Sequence, residues 1–208
     1  KFIAWSITGS SSMLSEAYHS VSDTGNQVLL LLGIRLGSNG ASRKHPFGRG
    51  KEQYFFAFVV SVMLFGVAGY ASLRHGYHKF GAEHADVNYT VNYAVLSAAF
   101  VFEAWALKNA YKGVKREMEE KGFGSIVEAF RKSKDAPLIT ALTEDAVALA
   151  GIVVAFASVG LTDLTGDTVY DAVGSVLIGL LLMGFALALA WENRGLIVGE
   201  GVTKSERK

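Results

Sequence analysis

The side chains able to do chemistry fall in two short runs. His19 and Asp23 stand four residues apart, so on a helix they share one face, one turn from each other. An imidazole and a carboxylate so placed can grip one small divalent cation, or can simply hydrogen-bond each other or a neighbouring helix. Glu16, three residues before His19, extends the stripe, and Asn26, three after Asp23, continues it. Glu16 also falls near a helix start, where a carboxylate complements the dipole, and that gives it a structural reading. The second run is Leu138-Ile139-Thr140-Ala141-Leu142-Thr143-Glu144-Asp145-Ala146-Val147. Its two acids are adjacent, so they point about 100° apart on a helix and only one faces a given neighbour.

What makes these groups notable is their setting. An ionisable side chain at membrane depth costs about 2.5–3.5 kcal/mol on insertion scales. No Lys or Arg lies between 138 and 193, and the neighbouring segments offer no evident basic partner at mid-depth. Acids and one His without a counter-charge imply a bound cation or protonation. The chain has no Cys, so any metal site is built from His, carboxylate and carbonyl groups. That donor set suits zinc and also Mn2+, Fe2+ or Co2+. Bound metal must displace protons from the same groups, so exchange of metal for protons follows directly.

The elements that would position these residues are membrane helices. Half of the 208 residues are hydrophobic, and several stretches approach the roughly 20 apolar residues needed to cross about 30 Å of hydrocarbon. Residues 170–191 are the clearest, with Trp191 as an interfacial anchor. The expectation is an all-α membrane protein, a six-helix transmembrane bundle over 1–192 with the first helix only partly present. The helices are expected at about 1–8, 12–36, 51–78, 88–112, 137–160 and 170–191. Ser12 is the expected N-cap of the second helix, and Pro137 opens the fifth. The stretch 113–135 reads as a solvated connection, partly helical, with an amphipathic interfacial helix as the alternative. Residues 193–208 read as a tail.

Loop charges test this layout. The connections 37–51 and 108–135 and the tail are rich in Lys and Arg, whereas 74–87 holds only Arg74 and Lys79, and 161–169 holds none. Basic and basic-poor connections alternate, as the positive-inside rule requires, which puts the basic ones in the cytoplasm. The expected location is a plasma or inner membrane in a prokaryote and an organelle membrane otherwise. A net charge of +1 argues against nucleic acid as a partner. No phosphate-binding loop, dinucleotide fingerprint or HExxH helix is present, so neither ATP-driven pumping nor metalloprotease activity is expected. A membrane enzyme would need a further catalytic constellation that the sequence does not offer.

The run from Gly9 to Asp23, Gly-Ser-Ser-Ser-Met-Leu-Ser-Glu-Ala-Tyr-His-Ser-Val-Ser-Asp, resembles the second-helix signature of cation diffusion facilitators. The continuation Asn26-Gln27-Val28-Leu29-Leu30-Leu31-Leu32-Gly33 and the loop His45-Pro46-Phe47-Gly48-Arg49-Gly50-Lys51-Glu52 do the same. The resemblance implies a homodimeric exporter of a divalent cation, zinc first, in exchange for protons across a lipid bilayer. It holds no resident cofactor, because the metal is cargo. It implies a midplane site made by two residues of the second helix and two of the fifth. His19 and Asp23 match the first pair and Asp145 the family's Asp. The usual His position falls on Ala141, and Glu144-Asp145 instead resembles a subgroup with Glu-Asp on that helix; Glu144, Asn26 or water then completes the shell. The family's second site between helices two and three is not expected, since its positions are Ser42 and Arg49, and His45 reads as structural. The family's cytoplasmic C-terminal domain does not follow in this sequence. Dimerisation would then rest on membrane helices, with Gly66, Ala68, Gly69, Gly174, Gly179 and Gly184 allowing close packing between or within protomers. Glu103 reads as a neutral structural carboxyl or a proton relay, and His75, His78 and His84 as interfacial residues or an outer metal-collecting cluster. The alternative function is a non-transporting scaffold or regulator that keeps a degenerate site.

Overall fold

A computed structural model describes residues 1–80, 89–122, 124–125 and 136–198. Among these the regular structure is all helical, in six elements. They are α1 (Phe2–Thr8), α2 (Ser11–Gly37), α3 (Glu52–Lys79), α4 (Thr90–Lys121), α5 (Ala136–Thr165) and α6 (Val169–Val198). Among the described residues four segments are long and apolar enough to cross a membrane: Glu52–Lys79, Thr90–Lys121, Thr140–Thr165 and Val169–Trp191. The chain is an integral, multi-pass membrane protein. The 27-residue α2 is equally long, but its polar stripe keeps it below the same apolar threshold.

Local sequence explains the breaks. Gly9 takes the left-handed conformation (φ 62°) that closes α1, and α2 restarts two residues later. The cap of α2 is Ser10, whose hydroxyl accepts from the Met13 amide; Ser12 lies inside the first turn instead of capping it. α4 continues past the expected end near 112 as far as Lys121. Strong helix formers fill that stretch, and the pairs Lys115–Glu119 and Glu117–Lys121 stand at i, i+4. Val114 is also fully buried against Leu142 of α5, which holds the extra turns down. Of the apolar residues within 113–135, Val114 and Met118 therefore belong to α4, while Ile126, Val127 and Phe130 lie outside the described residues.

α6 is the central element, packed on α2, α3 and α5, while α4 pairs with α5 and α1 leans on α2 and α4. The main core joins Ala4, Met13, Leu96, Ile152, Ala155, Val159, Ile178 and Leu182. The backbones approach closely where glycine allows. A Cβ at Gly179 would stand 2.9 Å from the Leu73 amide nitrogen, and one at Gly174 would strike the Ser158 side chain. α3 opens into a π-turn at Leu64–Gly69, and Gly69 there meets Met183 of α6. Gly69, Gly174 and Gly179 thus serve packing within the protomer, whereas Gly184 faces open space.

The two ends differ in chemistry. At the basic-poor end, Asp171 opens α6 and is 2% exposed. It accepts from the Ser10 hydroxyl (2.8 Å), the Ser11 and Ser12 amides and the Lys79 ammonium (2.9 Å). Lys79 also donates to the Gly9 carbonyl. The Ser12 and Ser158 hydroxyls pair at 2.7 Å, as do those of Ser15 and Ser175. One buried polar knot therefore ties together α2, α3, α5 and α6 at this end. At the other end lie the basic loop after α2 and the end of α6, joined by Lys51 donating to the Ile197 carbonyl.

Candidate metal centre

α2 presents its polar stripe inward. Glu16 is fully buried, His19 is 2% exposed, and Asp23 and Asn26 are half-buried. At 1.5 Å per residue, His19 and Asp23 stand roughly 12 and 18 Å along the roughly 40 Å length of α2. His19 Nδ1 lies 3.4 Å from Asp23 Oδ1, close enough for an ion pair. Yet both ring nitrogens of His19 and Oδ1 of Asp23 are buried without a hydrogen-bond partner. Orphaned polar atoms of this kind cost about 1–3 kcal/mol each, so packing alone does not account for them. They are the donor atoms a divalent cation would take, and the fit of the donor set to a metal rests on them.

α5 runs antiparallel against this stripe. Ser12 meets Ser158, Glu16 meets Gly151, and Asn26 meets Glu144. Asn26 Nδ2 donates to Glu144 Oε1 at 2.6 Å, so Glu144 is the fifth-helix acid that faces α2. Asp145, the next residue round the helix, is only partly buried and has Glu103 of α4 as its charged neighbour. Glu103 lies within electrostatic reach of Glu16, Asp23 and Glu144 as well. The structure therefore brings His19 to Asp23 and Asn26 to Glu144, while Asp145 makes no such contact with α2. Ala141, one turn before Asp145, offers no ligand atom. Among the described residues no three His, Asp or Glu side chains converge tightly enough to hold a metal in this conformation.

Two features escaped the sequence reading. Glu16 does have a basic partner at depth: Lys1 Nζ lies 3.1 Å from its Oε2, with Lys1 12% exposed. The expectation that no cation reaches the stripe fails here, because α1 folds back on α2 and its N-cap, Lys1, meets the second turn of α2. Periodicity along α2 alone could not reveal that. The other is the Asp171 knot, whose donors come from two separate segments, the start of α2 and the end of α3. Away from this region, His45 shapes the loop through its backbone, exchanging hydrogen bonds with Ser42 and accepting from Gly48. The His78 ring stacks edge-on with Tyr77, and His84 lies outside the described residues.

Comparison with known proteins identifies the family. Residues 1–198 match the family model described as the cation efflux transmembrane domain. The chain is 33% identical over 204 residues to the mitochondrial proton-coupled zinc antiporter SLC30A9 of Xenopus laevis, covering 97% of this chain and 36% of that protein. The human protein of the same name is 33% identical over 202 residues, 97% of this chain and 35% of its own length. Metal tolerance protein C4 of Arabidopsis thaliana is 28% identical over 202 residues, 97% of this chain and 44% of that protein. The chain thus spans about a third to under a half of the length of these relatives. A helical bundle with an acid- and imidazole-lined α2 facing α5, matched along nearly its whole length, belongs to the cation diffusion facilitators, a family of transporters and not of enzymes, through their cation efflux transmembrane domain.

Proposed function

We propose that this bundle carries a divalent metal cation, zinc first, out of the cytoplasm in exchange for protons. The observation that carries the reading is the buried His19 imidazole. Both of its ring nitrogens lack partners, Asp23 Oδ1 lies 3.4 Å away, and the stripe faces the Asn26–Glu144 contact on α5. His19, Asp23 and Glu144 supply ligand atoms, and Asn26 positions Glu144 or adds a carbonyl oxygen. Asp145 follows about 100° round α5, so a roll of that helix during transport presents it to α2 in Glu144's place. Rocking of helix groups about this site then exposes it to either side in turn. Each ligand must lose its proton to bind metal, so the return step carries protons the other way. The relatives named as proton-coupled zinc antiporters support the choice of zinc and of protons. Pairing of two such protomers through their membrane helices completes the proposed assembly.

Uptake of zinc into proteoliposomes tests this directly. With the lumen acidic, zinc is expected to accumulate and protons to leave in proportion. Collapsing the gradient with a protonophore should lower the initial rate at least about tenfold. Equal rates with and without the gradient would refute proton exchange. A second reading, a metal-sensing scaffold that does not transport, draws on the lack of three converging ligands among the described residues. Binding of zinc with no uptake under any gradient would favour it.

A further inference from the structure

Lys1 gives the stripe a cation of its own. Its ammonium meets Glu16 Oε2 at 3.1 Å and lies within electrostatic reach of His19 and Asp23. Glu16 is fully buried, and its other oxygen, Oε1, has no hydrogen-bond partner. That oxygen rests against Gly151 of α5, where a Cβ would come within 2.7 Å. Any side chain larger than hydrogen at 151 would push the carboxylate aside. Glu16 is thus held by Lys1 on one side and by the α5 backbone on the other, one turn above His19.

We propose that Lys1 is a tethered competitor for the transported metal: it masks Glu16, a further metal-attracting carboxylate of the stripe, and keeps the site from holding its cargo too tightly. The inference rests on the metal site of α2 and α5 argued above. A divalent ion in the stripe feels the attraction of Glu16 and the repulsion of Lys1 together. In low dielectric both are large at these separations, and they oppose each other. A lysine suits the role, since its compact charge sits on a flexible four-carbon stem and can swing away without unfolding the helix. A transport site must release as well as bind, and a built-in cation raises the release rate without removing a ligand.

Zinc calorimetry on purified protein with Lys1→Met, Glu16→Gln and both together tests the proposal. Lys1→Met unmasks Glu16, so zinc is expected to bind at least about tenfold more tightly, and zinc uptake to turn over more slowly. Glu16→Gln leaves Lys1 unopposed, so affinity is expected to fall by at least about tenfold. The double variant removes both effects and is expected to return to within about threefold of the starting affinity. It also buries no lone charge, so it remains readable if one single variant does not fold, and any two folded variants fix the pattern. Affinities all within about threefold, or a gain in Lys1→Met that survives Glu16→Gln, would show the pair to be structural only. Asp23→Ala serves as the reference: lost zinc binding there beside a flat Lys1 series sinks this inference alone, whereas retained binding sinks the site beneath it.

Discussion

Replacing Asp23 with Ala is expected to lower zinc uptake by about a hundredfold or more while leaving the fold at least as stable. The two halves of that result come from one fact. Asp23 Oδ1 is buried and has no hydrogen-bond partner, so the fold draws no hydrogen bond from that oxygen. A carboxylate at membrane depth costs about 2.5–3.5 kcal/mol, and the alanine variant is relieved of that cost. In the proposed site the metal, in contrast, loses a directly ligating charge. Changes even in residues one shell out from a metal cost about 10–100-fold in affinity, so a ligand should cost more. Initial zinc uptake into proteoliposomes, set beside thermal unfolding in detergent, separates the two effects. Parallel loss of stability and uptake would mean that Asp23 is structural and that its spacing from His19 is incidental.

The reverse pattern is expected at the opposite kind of site. Asp171→Ala should cost about 3–5 kcal/mol of stability, because it removes one partner of a buried ion pair and leaves the Lys79 ammonium without its acid. The Ser10 hydroxyl and the Ser11 and Ser12 amides lose an acceptor in the same step. These groups bind the start of α2 to the ends of α3 and α6, so the α2 stripe loses its anchor. Asp171→Asn keeps one acceptor oxygen and should lose an intermediate amount. Unfolding in detergent, followed by circular dichroism, reads both. Little change in Asp171→Ala would show that the knot is replaced by water at the membrane surface and does not fix α2.

The sequence shows the helices and the stripe because both depend on local periodicity. Twenty apolar residues read as a span whatever surrounds them, and Glu16, His19, Asp23 and Asn26 read as one face of α2 at the 3.6-residue repeat. Loop charges separate the two ends for the same reason. What the sequence hides is where helices meet. That Glu144 and not Asp145 faces Asn26 depends on the rotation of α5, and two adjacent acids give no hint of it. The Lys1–Glu16 pair depends on α1 lying against α2 with a tight turn at Gly9, which brings together residues fifteen apart. The π-turn at Leu64–Gly69 has no reliable sequence mark beyond its glycines. α4 runs past its expected end because its charges, loop-like in composition, are spaced to pair along a helix.

The central claim is that a divalent ion binds between α2 and α5, on His19, Asp23 and a fifth-helix acid. Anomalous diffraction at the zinc edge, from crystals grown with zinc, tests it most directly. A single strong peak is expected about 2.0–2.2 Å from a His19 ring nitrogen and from an Asp23 oxygen, with Glu144 or Asp145 closing the shell. A zinc peak only at His75 and His78, with His19 and Asp23 bare at saturating zinc, would contradict it.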